Sequence, residues 1–302
     1  MDTAHILDQY REYFSPEVSR DELIQVVDSL PSMPSVAAKA LKLTDDPNST
    51  TTEIAEVLGK DAILAVRLLK QANSAYYSQS QTIENLEHAA GLIGLSNVRS
   101  LILSSVMRGI KKHFGKLETI IWRNSVATGI ASELLGKSLF KSQINEVYLS
   151  GLLHNLGQLV FLAHEGSATR YPEILRRVVN EGCDFASAEM DVIGFTFPMI
   201  GALVTNKWGL PKPISHAVLH HNDPFEGIGD TLDRSALLIN LSRWLVNQAG
   251  IAYAHGIGTL ETDAPRIATA LGLVSQLEEE RWSDLIDKLR KRFNDEMMAF
   301  NS

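Results

Sequence analysis

The chain has 302 residues, of which 45% are hydrophobic and 21% are charged, and its formal net charge is -8. These values are typical of a soluble globular protein with one large domain or two modest ones. The acidic balance, with no block of Lys and Arg outside the tail of the chain, gives no electrostatic footprint for nucleic acid.

Three features bear on the compartment. Cys183 is the only cysteine, so the chain forms no internal disulfide, which favours a reducing environment. The first residues, from Met1 to Ser15, are polar and carry no apolar signal core. No uninterrupted apolar run is long enough to span a bilayer. We therefore expect a cytoplasmic protein with no membrane and no nucleic-acid partner.

The order of helix signals predicts an all-α fold. No proline occurs from Asn48 to Tyr171, and this segment is dense in Leu, Ile, Ala and Val, which favours successive helices. Ser19–Glu22 and Thr50–Glu53 are capping boxes that predict helix starts near residues 20 and 51. Further helices are predicted over about 35–43, 61–75, 98–109, 118–136, 143–164, 170–181, 185–193, 198–208, 212–220, 231–249 and 274–300. Turn or loop residues are predicted at 45–48 and 256–265, with a polar hinge at 111–116.

Two of these helices carry distinctive patterns. The helix over 61–75 has one narrow polar stripe (Arg67, Lys70, Gln71 and Ser74) and is otherwise apolar, so we expect it to be buried on most sides, with Leu68 on the buried side. The last helix carries one apolar stripe, formed by Trp282, Leu285, Leu289, Phe293 and Met297. This stripe predicts docking onto the parent domain, with a partner or dimer surface as the alternative.

The most informative local sequence is Gly151–Val160, in which His154 is followed by Asn155. The surrounding leucines and valines recur every three or four residues, which is the period of a buried helix. A neighbouring His and Asp at this place could bridge two divalent ions. Asparagine lacks the negative charge and is a far weaker ligand. The segment therefore keeps the histidine and the apolar surroundings of a hydrolase metal motif but lacks its charged ligand.

Several longer stretches together resemble the HDOD family, the HD-related output domains of bacterial signalling proteins. The resemblance spans about residues 22–225. It rests on the segments 30–36, 61–77, 90–99, 151–157, 207–214 and 220–224, which include the run Gln71-Ala72-Asn73-Ser74 and the run Trp208-Gly209-Leu210-Pro211 followed by His220-His221.

The resemblance implies a divergent branch of the HD superfamily of metal-dependent phosphohydrolases. The positions of that superfamily's metal site fall, in this sequence, at Asn124, His154, Asn155, Phe197 and Asn240. Only His154 keeps a ligand residue, and both aspartates are lost. Since catalysis in the superfamily needs a metal to polarise a phosphoryl oxygen and to generate hydroxide, the resemblance implies a non-catalytic scaffold with no catalytic residue and no metal at His154. Buried amides need partners, so we expect Asn155, Asn240 and Asn73 to be paired.

Other side chains are candidate ligand or contact residues. His216 and His220 stand four residues apart and share a helix face. With His221 and Asp223 nearby they could form a rebuilt metal site, although surface or capping histidines are the simpler interpretation. Arg67 and Lys70 could bind an anion, although a solvated helix face is the simpler interpretation.

These observations predict two domains: an N-terminal helical subdomain over 1–115, and a degenerate HD-like helical core with closing helices over 116–302. The predicted function is a bacterial signal-transduction scaffold that uses no cofactor and acts through contacts with an unidentified signalling protein. The alternative is a phosphohydrolase that uses Mn, Fe or Zn on a nucleotide or cyclic dinucleotide. A third hypothesis is a pseudo-enzyme that still binds a nucleotide. The sequence also allows a homodimer.

We expect the output surface to lie in a groove between the two parts, with Arg67, Lys70 and Gln71 on one rim and Trp208 with His220-His221 on the other.

Overall fold

The computed structural model describes residues 20–28, 33–74, 77, 82–110, 115–140, 144–223, 231–251, 264–274 and 279–301. These residues form α-helices joined by turns, and no β-strand is formed among them. The all-α prediction is therefore confirmed. Within the described ranges, no single helix has the length and the apolar character that crossing a membrane requires.

The helices fall into two compact units. The smaller unit draws its described residues from 31–109 and 290–302. Its helices are α2 (Ser35–Asp45), α3 (Thr51–Leu58), α4 (Ala62–Ala72), α5 (Leu86–Ile93), α6 (Leu95–Arg108) and the end of α17 (Glu279–Asn301). The larger unit draws its described residues from 1–30 and 110–289. Its helices are α1 (Arg20–Asp28), α7 (Lys116–Gly136), α8 (Ile144–Leu153), α9 (Leu156–Ala163), α10 (Glu165–Ala168), α11 (Tyr171–Glu181), α12 (Phe185–Val192), α13 (Phe197–Lys207), α14 (Lys212–His220), α15 (Thr231–Gln248), α16 (Ala264–Leu271) and the start of α17.

Both ends of the chain are grouped differently from the sequence prediction, which placed all of residues 1–115 in one domain. In the structure, α1 is grouped with the larger unit, and the residues of α17 from Arg290 onward are grouped with the smaller one. The chain passes from the smaller to the larger unit after Gly109, close to the predicted boundary at 115/116.

Local sequence signals account for several helix ends. The backbone N–H of Glu53 donates to Thr50 Oγ1 at 3.2 Å, and the Thr50 N–H donates to Glu53 Oε2 at 2.9 Å, so the second capping box is confirmed. Ser19 of the first box, and most of the predicted hinge at 111–116 and loop at 256–265, lie outside the described residues. Helices α5, α10 and α16 were not predicted. All three are short: α5 and α16 have eight residues each and α10 has four.

Helix α4 differs from its prediction in length and in burial. Its buried side chains are Leu64, Leu68 and Ala72, so the predicted position of Leu68 is confirmed. The expectation of burial on most sides is wrong, because Ile63 is 65% exposed and Val66 is 48% exposed. Apolar residues are common on protein surfaces, and hydrophobicity alone could not identify the one buried row.

Asn73 explains why α4 ends at Ala72 and does not continue to 75. Its Nδ2 donates to the carbonyl oxygens of Leu69 and Ile83, each at 2.8 Å, and its Oδ1 accepts from the Ile83 N–H at 2.8 Å. The side chain therefore pairs with both backbone groups of a residue ten positions away. The prediction that this amide is paired is confirmed, and the amide ties Ile83 to the helix end.

The apolar stripe of α17 is covered within the chain. Leu285, Leu289, Phe293 and Met297 are buried, and the ring of Trp282 lies 4.6 Å from that of Trp244, centroid to centroid. Docking of this helix onto the parent chain is confirmed, and the alternative of an open partner surface on the stripe is wrong.

Leu68→Ala is expected to lower the free energy of unfolding by about 2–5 kcal/mol, as for other fully buried leucines, because Leu68 is 0% exposed. The matched control is Val66→Ala on the same helix, which removes two methyl groups from a half-exposed site and should change stability by less than about 0.5 kcal/mol. Urea denaturation followed by circular dichroism measures both. Equal losses for the two variants, or a loss below about 1 kcal/mol for Leu68→Ala, would contradict the assignment of the buried face.

Candidate functional site

The helix predicted over 143–164 is two helices, and the break between them carries the His-Asn pair. Helix α8 ends at Leu153 and α9 begins at Leu156. Asn155 has φ -95° and ψ 10°, and its carbonyl oxygen accepts from the N–H of Gln158 at 3.1 Å. His154 is 0% and Asn155 is 3% exposed. The leucine-rich period is shared by both helices, which is why the sequence did not reveal the break.

Glycines bring α7 and α8 close together beside this break. A Cβ added at Gly151 would lie 2.8 Å from the Thr128 carbonyl oxygen, and one added at Gly129 would lie 3.1 Å from the Tyr148 carbonyl oxygen. Only glycine allows two helix backbones to approach this closely. The close approach places Asn124 of α7 beside the break, where the Nδ2 of Asn155 donates to the Asn124 Oδ1 at 2.8 Å.

Two buried imidazoles, His154 and His221, form the centre of the site, and we call them the imidazole pair. Their ring centroids are 5.2 Å apart with planes at 87°. His154 Nδ1 lies 2.7 Å from the Gly151 carbonyl oxygen, and His221 Nδ1 lies 2.7 Å from that of Val218. A carbonyl oxygen only accepts, so each Nδ1 carries the proton. Each Nε2 then holds a lone pair, and both Nε2 atoms are buried without a hydrogen-bond partner.

The position of His221 corrects the sequence interpretation, which placed it at the surface or in a cap. His221 is 0% exposed. The signal was present in the spacing: Ile214, Ala217 and Val218 are buried on the same helix, and His221 continues their three- and four-residue period. His221 is therefore also wrong as a rim residue of a solvent-facing groove.

Burial keeps both imidazoles neutral. Desolvation, followed by the positive charge of Arg243, lowers the pKa of His154 to about 3, against a smaller opposing effect of the Gly151 hydrogen bond. The same two causes lower the pKa of His221 well below its usual value, and His154 lowers it further. Arg243, whose Nη1 donates to Asn222 Oδ1, was not identified from the sequence, because only the tertiary fold brings α15 to this centre.

The other positions that the HDOD resemblance assigns to a metal site, Phe197 and Asn240, make different contacts in the structure. The Phe197 ring lies 5.5 Å from that of His221. Asn240 Nδ2 donates to the His221 carbonyl oxygen at 3.2 Å. The expectation that Asn155 and Asn240 are paired is confirmed, one with a side chain and the other with the backbone.

A buried carboxyl that the sequence did not single out supports Phe197. Glu189 Oε2 accepts from the Phe197 N–H at 2.7 Å, and its Oε1 accepts from the Tyr171 hydroxyl at 3.3 Å. Phe197 begins α13, so this carboxyl caps the helix that carries the ring against His221. Desolvation raises the pKa of Glu189 well above its usual value, although both hydrogen bonds oppose that shift.

The other candidate residues are not members of the imidazole pair, and they lie on α14 or in the smaller unit. His216 and His220 are neighbours on α14, with ring centroids 4.3 Å apart. Arg67 and Lys70 belong to the smaller unit. Arg67 Nη1 donates to Ser105 Oγ at 2.7 Å, and burial lowers the pKa of this guanidinium. The groove with rims at Arg67, Lys70, Gln71, Trp208 and His220 stays a prediction.

The donor set does not fit the divalent ions of the HD superfamily. Carboxylates are absent from the positions Asn124, Asn155 and Asn240, and the Asn155 amide nitrogen is committed to Asn124. Arg243 adds a positive charge that already acts on both imidazoles. Within the described part of the chain, no group of three or more His, Cys, Asp or Glu is placed to hold a metal ion. Two neutral imidazoles cannot offset the charge of two dications beside a guanidinium.

Comparisons with known proteins identify relatives of this chain. The family model described as HDOD domain matches residues 30–224. An uncharacterized protein of Treponema pallidum (strain Nichols) is 25% identical over 206 residues, which cover 66% of this chain and 39% of that protein. The chain thus spans well under half the length of this curated relative.

Two solved structures show the same fold. An HDOD domain protein of unknown function from Geobacter sulfurreducens is 18% identical, with a TM-score of 0.71 over 98% of this chain and 96% of that one. A protein from Marinobacter aquaeolei VT8, provisionally assigned to signal transduction, is 22% identical, with a TM-score of 0.72 over 98% of this chain and 65% of that one. At these identities the likeness shows the fold alone.

Proposed function

Because the chain belongs to the HDOD family, we propose that it is a bacterial signalling module that acts through protein contacts and whose HD centre no longer catalyses hydrolysis. A regulatory role fits both the family and the structural neighbour provisionally assigned to signal transduction.

One observation carries the proposal: the hydrogen bond between Asn155 and Asn124. It joins, at 2.8 Å, two of the positions that the HDOD resemblance assigns to metal ligands. Phe197 occupies a third position with an apolar ring that contacts His221. Catalysis by the superfamily needs a metal-bound hydroxide and a polarised phosphoryl oxygen. An amide pair, a phenyl ring and two neutral imidazoles beside Arg243 supply neither, so these residues serve to hold α7, α9, α13, α14 and α15 together.

A module without chemistry delivers its output through a surface that a partner recognises. We propose that the partner is a cytoplasmic signalling protein, and that its contacts include the half-buried Arg67 and Lys70 of the smaller unit. A nucleotide bound by this module, or a second copy of the chain, would be the input that changes the availability of that surface. Charge reversal at Arg67 and Lys70 should then reduce capture of the partner, without loss of the fold.

The second candidate function is that of a phosphohydrolase dependent on Mn, Fe or Zn. One observation favours it: both imidazoles donate Nδ1–H to a backbone carbonyl and keep a buried Nε2 lone pair, which is the arrangement that histidine ligands of metals adopt. The missing carboxylates and the Arg243 charge oppose it, so we rank it second.

The purified full chain is expected to hydrolyse neither p-nitrophenyl phosphate, bis-p-nitrophenyl phosphate nor cyclic di-GMP above the rate of buffer containing Mn²⁺. Elemental analysis should find no Mn or Fe held by the imidazole pair. The matched variant is His154→Gln, which removes the imidazole nitrogen that could bind a metal and keeps a side-chain N–H donor for the Gly151 carbonyl.

The scaffold proposal fails if turnover appears with Mn²⁺ and disappears in His154→Gln at unchanged circular dichroism. A thermal-shift panel of nucleotides tests the third hypothesis. A nucleotide that raises the melting temperature without turnover would identify a pseudo-enzyme with a surviving ligand site.

A further inference from the structure

Helix α14 carries a second pair of histidines, which is separate from the imidazole pair. His216 and His220 lie one turn apart, with ring centroids 4.3 Å apart and planes at 44°. His220 Nδ1 lies 2.6 Å from the Asp223 Oδ2. The His220 side chain is 22% exposed and that of Asp223 is 57% exposed. We call these three residues the helix-surface histidine site.

We propose that His216 and His220 bind a late first-row divalent cation, such as Zn²⁺, at the surface of α14. Histidines at i and i+4 share a helix face and can both reach one ion. Two nitrogens that share a tetrahedral Zn²⁺, each at about 2.0–2.1 Å, lie roughly 3.3 Å from each other. Rings 4.3 Å apart reach this separation by rotation of the side chains alone.

Asp223 prepares His220 for this role. A carboxylate 2.6 Å from Nδ1 accepts the Nδ1 proton in a hydrogen bond, and this fixes the tautomer whose Nε2 holds the lone pair. The same contact makes the imidazole a stronger electron donor, as in the carboxylate–histidine–zinc arrangement of metalloproteins. Asp223 is thus a positioning residue, and it also supplies negative charge beside the cation.

The two histidine sites have different charged groups beside them. Around His154 and His221, Arg243 adds a positive charge, whereas the Asp223 carboxylate lies 2.6 Å from His220 Nδ1. Coordination would replace the contacts that the His216 and His220 rings make at the helix surface. With two protein ligands, the other positions of the ion are filled by water, so the ion stays exchangeable and open to a donor from another molecule.

Imidazole ligands select among cations. Neutral imidazole suits Zn²⁺, Cu²⁺ and Ni²⁺, whereas Mg²⁺, Ca²⁺ and Mn²⁺ prefer oxygen ligands. The proposed site should therefore take up Zn²⁺ and discriminate against Mn²⁺. An ion of the HD superfamily type, bound through oxygen donors, would show the opposite preference.

Titration calorimetry with Zn²⁺ on the chelator-washed full chain, free of any histidine tag, tests the proposal. We expect saturation at one Zn²⁺ per chain and no binding of Mn²⁺ over the same concentrations. His216→Ala and His220→Ala should each abolish the saturable binding. Asp223→Asn should weaken it by about 10–100-fold, as loss of the carboxylate partner of a histidine ligand does elsewhere.

His88→Ala is the matched control, because His88 is an exposed histidine on α5 of the other unit and its loss should leave the Zn²⁺ isotherm unchanged. Circular dichroism checks that each variant is folded, and a rise in melting temperature with Zn²⁺, absent in His220→Ala, gives a second readout. The proposal is overturned if Zn²⁺ does not saturate, if His216→Ala and His220→Ala bind as the original chain does, or if only His154→Gln removes the ion.

Discussion

Gly157→Ala is expected to lower the free energy of unfolding by more than the roughly 1–3 kcal/mol typical of an overpacked core. A Cβ at position 157 would lie 2.0 Å from the Phe197 carbonyl oxygen, and 2.8 and 2.9 Å from the carbonyl carbon and Cα of the same residue. All three atoms are backbone atoms at the start of α13, so no side-chain rotation relieves the clash. Helices α9 and α13 would have to separate, and Phe197 would lose its place against His221.

Gly91→Ala is the matched control for this substitution. Gly91 lies within α5, and a Cβ added there would meet no atom within 4 Å. Alanine favours a helix interior over glycine by about 1 kcal/mol, so this variant should be as stable as the original chain or slightly more stable. Thermal and urea denaturation measure both variants. Melting of Gly157→Ala at the temperature of the original chain would show that the two helices are not in the close contact described.

Acidification is expected to destabilise the chain strongly, because the imidazole pair is neutral when folded. The pKa of His154 is lowered to about 3 in the folded chain, whereas an unfolded histidine titrates near 6.5. The unfolded state therefore binds more protons between these values, and stability falls as the pH falls through that window. At pH 4.5, two units below the unfolded pKa, His154 alone removes roughly 2–3 kcal/mol. His221, whose pKa is also lowered, acts in the same direction.

Glu189 acts in the opposite direction. Its folded pKa is raised well above its usual value, so the folded state binds the extra proton, and this group's contribution to stability rises as the pH falls towards the unfolded pKa. Glu189→Gln removes this offset, so the free energy of unfolding should fall more steeply with falling pH. In His154→Gln the same slope should be smaller, by the equivalent of at most one bound proton.

Urea unfolding at a series of pH values from 7.5 to about 4.5 gives these slopes directly. His88→Gln, at an exposed position, is the control, and its slope should match that of the original chain. If His154→Gln loses stability in acid as steeply as the original chain, then the buried neutral imidazole is not the cause of the acid sensitivity.

Helix periodicity and capping residues were sufficient to predict the architecture. The Thr50–Glu53 box, the run of helices after residue 116 and the buried stripe of α17 all follow from local spacing, because each helix buries one face. Periodicity could not reveal the break at His154-Asn155, since the leucines and valines of α8 and α9 keep the same spacing across it. Nor could it show which apolar residues of α4 face solvent.

The candidate site was predictable in part. The resemblance to the HDOD family placed Asn124, His154 and Asn155, and the structure brings these three together. His221 could have been found from its spacing to Ile214 and Val218. Arg243 lies 89 positions after His154 in the sequence, and its effect on that imidazole depends on tertiary packing that no local pattern contains. Glu189 lies only 8 positions before Phe197, to which it is hydrogen-bonded.

The grouping of the last helix has a consequence for the order in which the chain matures during synthesis. Phe293 and Met297 are buried and belong to the smaller unit, yet about 180 residues separate Gly109 from Arg290, where this unit resumes. Contacts between segments so distant in sequence form slowly, because a long loop must close first. Helices α2–α6 therefore leave the ribosome early but complete their packing only after residues 290–301 have been made, and in that interval their unfinished core is the part of the chain that a chaperone or protease would meet first.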